Sequence, residues 1–308
     1  TPPQVFPLSI ILYLNPYAFS IKLSLTCRID AVSNQAELDD YKQQIADWYS
    51  RRSSNYDNGD WHPRIAHRLV EYAQLRSGQQ VLDIATGTGL VAIEAAQIVG
   101  DEGKVIGIDI STGMLEQARR KVKELQLSNV EFHLADAEAL SFPANSFDCV
   151  FCSSALIWMS DLLASLRLWH HFLKPGGLLG FHAFADRAFV GGVVARKVLA
   201  KYGVSLLFNQ PTGNVEKCRN LLQTAGFKAI DIQSEEDSSY ISLEQAKGIW
   251  SNGLYPVPGQ FPNPLLQLSP EKLAQARSEF DAELEALQTE QGIWNDITIF
   301  YAFGRKAA

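Results

Sequence analysis

The sequence predicts an α/β fold built on a mostly parallel, doubly wound sheet with helices on both faces. Three observations predict it. Short, near-continuous apolar segments alternate with amphipathic ones from about residue 36 onward. The first strand-like segment, Gln80 to Ala85, turns through Gly87 and Gly89 into an alanine-rich helical stretch at 89–99. The next strand, Lys104 to Asp109, ends in an acid about 20 residues past those glycines, a spacing used in nucleotide-binding α/β units. Strands buried on both faces are apolar throughout, whereas a sheet open to water on one side would alternate.

The elements follow in order. Residues 36–52 read as a helix with Leu38, Tyr41, Ile45 and Trp48 on one stripe. Pro63 marks a second helix start, Ile65, Leu69, Tyr72 and Leu75 share its apolar face, and Gly78 is its expected stop. After the two strands already named come a helix at 114–125, strands at 130–134 and 147–152, and a helix at 162–173. That helix stops at Lys174-Pro175-Gly176-Gly177, and a fifth strand follows at 178–184. Beyond residue 185 the rhythm changes. Helices are expected at 190–203, 215–225, 243–250 and 270–288, with strands at 227–232 and 297–303. We expect one domain over 36–308, with helical insertions at about 186–215 and 237–294 acting as a lid.

Composition narrows the function. The 308 residues are 46% hydrophobic and 20% charged, with a formal net charge of -7, an ordinary globular balance. An acidic surface repels phosphate backbones, so nucleic acid is not the expected partner. Four cysteines, Cys27, Cys149, Cys152 and Cys218, do not make a disulfide framework in a chain this long. Cys149 and Cys152 lie three apart in a strand and so point to opposite faces, which argues for core packing over a metal or redox pair. Residues 1–35 include an apolar, uncharged run at 5–21 broken by Pro7, Asn15 and Pro16. It fits neither a stable membrane span nor a signal peptide. Packing on the domain and mediating a homodimer both stay open for this extension. The expected location is the cytoplasm, and no cluster of residues has metal-ligand spacing.

The chemistry concentrates at Val81-Leu82-Asp83-Ile84-Ala85-Thr86-Gly87-Thr88-Gly89-Leu90. Glycines there allow close backbone approach to a ligand, and the helix beyond presents free N–H groups. Asp109 is spaced to reach ribose hydroxyls. A pyrophosphate would be repelled by Asp83 in the same turn, whereas S-adenosylmethionine carries a sulfonium and an ammonium and no phosphate. The residues therefore favour that cofactor over NAD, although Gly87-Thr88-Gly89 followed by Ala92 also has dinucleotide spacing.

From about 45 to 185 the chain resembles the class I S-adenosylmethionine-dependent methyltransferases of the ubiquinone/menaquinone-methyltransferase-like group. Five segments carry the resemblance: Asp83 to Gly89; Gly107-Ile108-Asp109-Ile110-Ser111 with Gly113-Met114-Leu115; Leu134 to Leu140; Phe142-Pro143 with Ser146-Phe147-Asp148; and Leu173 to Gly177. The resemblance implies a Rossmann-like seven-stranded sheet of order 3-2-1-4-5-7-6 with the last strand antiparallel. It implies that Gly87 and Gly89, with Ala85 and Thr86 of the same turn, lie under the cofactor and that Asp83 supports its methionine end. Asp109 would bind the ribose, with Ile110 and Met114 near the adenine. Asp136 and the Ala137 amide would meet the adenine edge, and Ser153 would face the methionine moiety. Tyr49 and Tyr56 resemble a segment that closes over the cofactor.

The expected reaction is methyl transfer to oxygen or carbon of a small-molecule acceptor, with aromatic, quinone-like and other secondary metabolites as the candidates. His182, near the carboxyl end of the fifth strand, is the first candidate for a general base and His62 the second. Trp158, Phe184, Arg187, Trp250, Tyr255 and Phe261 are candidate pocket walls. Two other readings stay open: a non-catalytic cofactor-binding module, and a NAD-dependent oxidoreductase.

Overall fold

In a computed structural model, residues 38–252, 254 and 264–308 are described. Five parallel strands form most of the main sheet: β1 (Gln80–Ile84), β2 (Lys104–Asp109), β3 (Val130–Leu134), β4 (Phe147–Cys152) and β5 (Leu173–Phe184). β6 (Lys228–Glu236) and β9 (Thr298–Arg305) complete seven strands in the order β3-β2-β1-β4-β5-β9-β6. β9 runs antiparallel to both neighbours. It is the last strand of this sheet in the chain, so the expected order and sense hold. A separate hairpin, β7 (Ser239–Ile241) with β8 (Ile293–Asn295), was not foreseen, because three-residue strands carry too little periodicity to read.

Helices α1 (Asp40–Arg52), α2 (Trp61–Ala73), α3 (Leu90–Val99), α4 (Thr112–Glu124), α5 (Leu162–Phe172) and α7 (Val215–Thr224) surround the sheet. Several ends differ from expectation. α1 starts at Asp40 because the Asp39 carboxylate caps the Lys42 amide. α2 stops at Ala73, where Gln74 takes the left-handed conformation itself, so Gly78 is not its terminator. β5 begins at Leu173, five residues before the expected start, since Leu173 already pairs with Phe147.

One apolar core lies on each face of the sheet, and β4 divides its cysteines between them. Cys149 packs with Val81, Ala95 and Tyr301, whereas Cys152 packs with Ile84, Leu156 and Phe181. Both thiols are free and buried, as the strand alternation predicts. A third core joins α6 (Val190–Ala200), α8 (Leu243–Asn252) and α9 (Pro270–Glu285) through Val194, Leu199, Ala246 and Phe280. The two insertions therefore share one core. Among the described residues no helix is long and apolar enough to cross a membrane.

Candidate cofactor and acceptor site

The site forms at the carboxyl ends of β1, β2, β3 and β4, where the chain must leave the sheet and backbone amides stand unpaired. A cavity of about 700 Å³, open mouth included, lies there beneath α1. Its floor is Ala85 and Gly87 after β1. Asp109, Ile110 and Met114 after β2, with Asp136 and Ala137 after β3, form one side. Ser153 and Trp158 after β4 form the other. A narrower recess continues from it past Asp83, Thr86 and Ser153.

Two buried acids dominate the electrostatics. Asp109 accepts hydrogen bonds from the amides of Gly87 (2.9 Å) and Ser111 (2.8 Å). Asp83 accepts one from the Thr86 hydroxyl at 2.5 Å. Burial pushes the Asp83 carboxyl up to about 7 against that hydrogen bond, with the Asp109 charge adding to the rise. Burial likewise raises Asp109 to about 6, with the Ser111 and Gly87 amides working the other way. Neither acid has a cationic side chain within ion-pair distance among the described residues, so a cationic ligand rich in hydroxyl donors suits this cavity and a pyrophosphate does not. S-Adenosylmethionine fits on this ground.

The structure separates the two glycines. Gly87 has φ +56, and a Cβ built on it meets nothing within 4 Å, so its surface is open to a ligand. Gly89 lines none of these cavities. It caps α3 at φ +84, and its Cβ would press on Ala118 at 3.1 Å and Phe132 at 3.2 Å. Packing within the turn therefore requires a glycine at 89, whereas Gly87 presents open surface.

α1 forms the roof. Lys42, Ile45 and Tyr49 line this cavity, and Arg52, three residues further along the same helical face, lines only a neighbouring one. Lys42 reaches Asp136 at 2.6 Å and Glu138 at 2.9 Å. Against its burial, the amides of Asp161 and Ser160 and the Lys42 ammonium hold Glu138 below its usual range. The sequence reading singled out Tyr49 but missed Lys42 and Arg52. The same helical spacing that gave the apolar stripe also carried them.

A second cavity, about 870 Å³ with its open mouth, adjoins the first. Tyr49, Tyr56, Ser154, Ala155 and Trp158 line both. Trp158 Nε1 donates to the Tyr49 hydroxyl at 3.0 Å, fixing this shared wall. Beyond it stand His62, His182, Phe184 and Phe189. The His62 ring stacks on Tyr56 with centroids 4.1 Å apart. His182 Nδ1 lies 3.3 Å from the Ser154 amide and 3.4 Å from the Ser153 hydroxyl. Burial, with His62 nearby, pushes the His182 imidazole down to about 3, and burial lowers His62 as well.

Of the candidate pocket walls, Trp158 and Phe184 line the second cavity, whereas Arg187 and Trp250 line neither cavity. Arg187 is 63% exposed and pairs with Asp296 at 2.5 Å. Trp250 packs on Phe280 inside the insertion core. In both cases a partner distant in sequence claims the side chain. Tyr255 and Phe261 lie outside the described residues. Ser154, Trp61, Phe189 and Asn209 line the second cavity without having been foreseen. Ser154 alone carried a signal, as the neighbour of Ser153. No group of His, Cys, Asp or Glu among the described residues could hold a metal ion.

Comparison with known proteins decides the family. Residues 81–177 match the model of a methyltransferase domain. Aklanonic acid methyltransferase DauC of Streptomyces sp. (strain C5) is 37% identical over 150 residues, which are 48% of this chain and 68% of DauC. The chain belongs to the class I S-adenosylmethionine-dependent methyltransferases. Its cofactor is accordingly S-adenosylmethionine, and the dinucleotide reading falls away. The ubiquinone/menaquinone biosynthesis C-methyltransferase UbiE of Cronobacter sakazakii is 40% identical over 129 residues, 40% of this methyltransferase and 51% of UbiE. The chain therefore spans about half the length of that relative. The crystal structure of YcgJ from Bacillus subtilis shares the fold, with a TM-score of 0.53 at 19% identity over 80% of this chain and 100% of YcgJ. The matched domain, residues 81–177, runs from β1 into β5 and includes the turns after β1, β2, β3 and β4 that line the first cavity.

Proposed function

We propose that this methyltransferase methylates oxygen or carbon of a small acceptor whose apolar, ring-bearing body fills the second cavity. One observation carries the reading: the two cavities share the wall formed by Tyr49, Tyr56, Ser154, Ala155 and Trp158. A cofactor on one side of that wall and an acceptor on the other meet at its edge. DauC is named for methylation of aklanonic acid and UbiE for ubiquinone and menaquinone biosynthesis, which supports an acceptor of this general kind.

In this reading Asp109 holds the ribose, Asp136 and the Ala137 amide meet the adenine edge, and Asp83 and Ser153 face the methionine end. Ala85, Thr86, Ile110 and Met114 complete the walls. When bound, S-adenosylmethionine supplies a methyl carbon already activated by the sulfonium, and the electron pair of the broken bond stays on sulfur. The protein's part is orientation, which contributes on the order of 7–11 kcal/mol in well-aligned reactions. Trp158, Phe184 and Phe189 exclude water, while His62 and His182 shape the cavity as neutral rings. The shared insertion core acts as a lid above it. We also read the enzyme as cytoplasmic, a reading supported by its free thiols at Cys149, Cys152 and Cys218.

Calorimetry with S-adenosylmethionine, S-adenosylhomocysteine and NAD, on wild type and Asp109→Ala, tests the cofactor half. Both S-adenosyl compounds should bind the wild type, and Asp109→Ala should weaken them about 10–100-fold, since it removes an acceptor and strands two amides. Transfer of labelled methyl to aromatic or quinone-like acceptors tests the other half. Binding without transfer to any such acceptor defeats the acceptor reading.

A further inference from the structure

The acceptor cavity has an uneven charge. Among the described residues no acid lines it, and Arg52 is its single formally charged side chain. The Arg52 guanidinium lies over three aromatic rings, 4.5 Å from Trp48, 5.7 Å from Tyr49 and 5.6 Å from Tyr56. No carboxylate lies within ion-pair distance of it among the described residues. The acid five residues on, Asp57, is already engaged by Lys121 at 2.6 Å and by the Thr88 hydroxyl at 2.7 Å. An arginine packed among aromatic rings, with no side-chain hydrogen-bond partner among the described residues, has N–H donors to offer, and a guanidinium matches a carboxylate or other planar anion. The ring contacts restrict where the guanidinium can go, so less side-chain freedom remains to be lost when an anion binds.

We propose that the acceptor enters as an anion, a carboxylate or an ionised enol or phenol on an apolar ring system, and that Arg52 selects it. The proposal rests on the acceptor reading above. When the methyl group goes to the anionic oxygen, the acceptor brings its own electron pair for the new bond to carbon, and there is no proton for the protein to remove. The rest of the wall agrees with that requirement. His62 and His182, the two imidazoles of the cavity among the described residues, both have their proton affinity lowered by burial. They add no competing positive charge, and an apolar neutral surround strengthens the attraction between Arg52 and an anion.

The test uses the full chain saturated with S-adenosylhomocysteine and matched acid and amide probes. The probe pairs are 1-hydroxy-2-naphthoate with 1-hydroxy-2-naphthamide, and anthraquinone-2-carboxylate with its carboxamide. Calorimetry should show at least one acid binding about tenfold or more tighter than its amide. That preference should shrink as ionic strength rises, a wild-type readout that needs no variant. Arg52→Gln should abolish the preference, and Arg52→Lys should keep part of it. S-Adenosylhomocysteine affinity should stay within about threefold in both variants, which shows an intact fold. The proposal is overturned if no pair favours the acid, or if the preference survives Arg52→Gln. Failure of the wild type to bind S-adenosylhomocysteine instead overturns the cofactor reading, and this proposal with it.

Discussion

The Gly87 amide donates to the Asp109 carboxylate across 2.9 Å, so the turn after β1 is tied to the end of β2 by a bond that lies in the cofactor cavity. The glycine and the acid are 22 residues apart in sequence and form one unit in space. The consequences of disturbing this turn differ sharply from one residue to the next.

Gly87→Ala and Gly89→Ala should separate binding from stability. Both residues have positive φ, which costs an alanine roughly 1–2 kcal/mol. At Gly89 the added methyl also meets Ala118 and Phe132, for roughly 1–3 kcal/mol of overpacking. Gly89→Ala should therefore give the larger fall in Tm. Gly87→Ala places its methyl in the cavity and should give the larger fall in S-adenosylhomocysteine affinity. Thermal melts and calorimetry on the two variants decide the matter, and the reverse ranking would refute the division of roles.

Asp83 should impose a pH dependence on the ligand-free protein. Its folded-state proton affinity is raised, to about 7 from an ordinary 3.8. The folded state therefore holds a proton that the unfolded state gives up in that window, and stability from this group is lost as pH rises from about 4 through 7. Asp83→Asn has no such proton to lose. Melts of both proteins from about pH 4.5 to 8.5 should show the variant gaining on the wild type as pH rises. A constant difference would show that Asp83 is ionised throughout.

Lys42 should hold α1 closed over the cofactor. Its side chain is only 15% exposed, and it bridges Asp136 and Glu138, which are 16% and 14% exposed. Lys42→Met leaves two carboxylates facing each other without a cation. The cost should fall between that of an exposed and a fully buried pair, roughly 1–3 kcal/mol. Hydrogen exchange across 40–52 should speed up, and S-adenosylhomocysteine affinity should fall about tenfold or more. Unchanged exchange in α1 would show that the apolar stripe alone keeps the roof in place.

His182 should behave as a wall and not as a base. General-base removal costs typically 10²–10⁴ in rate. For His182→Gln we expect a loss of less than about tenfold in kcat/KM, with the pH profile from 6 to 9 unchanged. Its linkage has the opposite sign to that of Asp83. The folded-state proton affinity is depressed, to about 3 from 6.5, so its contribution is present above 6.5 and lost as pH falls. The wild type should lose ground to His182→Gln between pH 7 and 5. A loss of 100-fold or more with a vanished acidic limb would restore the base assignment.

The sequence by itself determined the sheet and the cofactor turn. Local composition dictates both: β1 and β2 are apolar throughout, and Gly87 and Asp109 follow them at fixed offsets that backbone geometry enforces. Alternation within a strand was enough to send Cys149 and Cys152 to opposite cores. Tertiary structure alone decided which side chains face which cavity. Arg187 and Trp250 left the site because Asp296 and Phe280, distant in sequence, offered better partners. Lys42 and Arg52 entered it because α1 lies across the strand ends. The proton affinities of Asp83, Asp109 and His182 were illegible in advance for the same reason. Burial sets them, and burial is a property of everything packed around a residue, much of it remote along the chain.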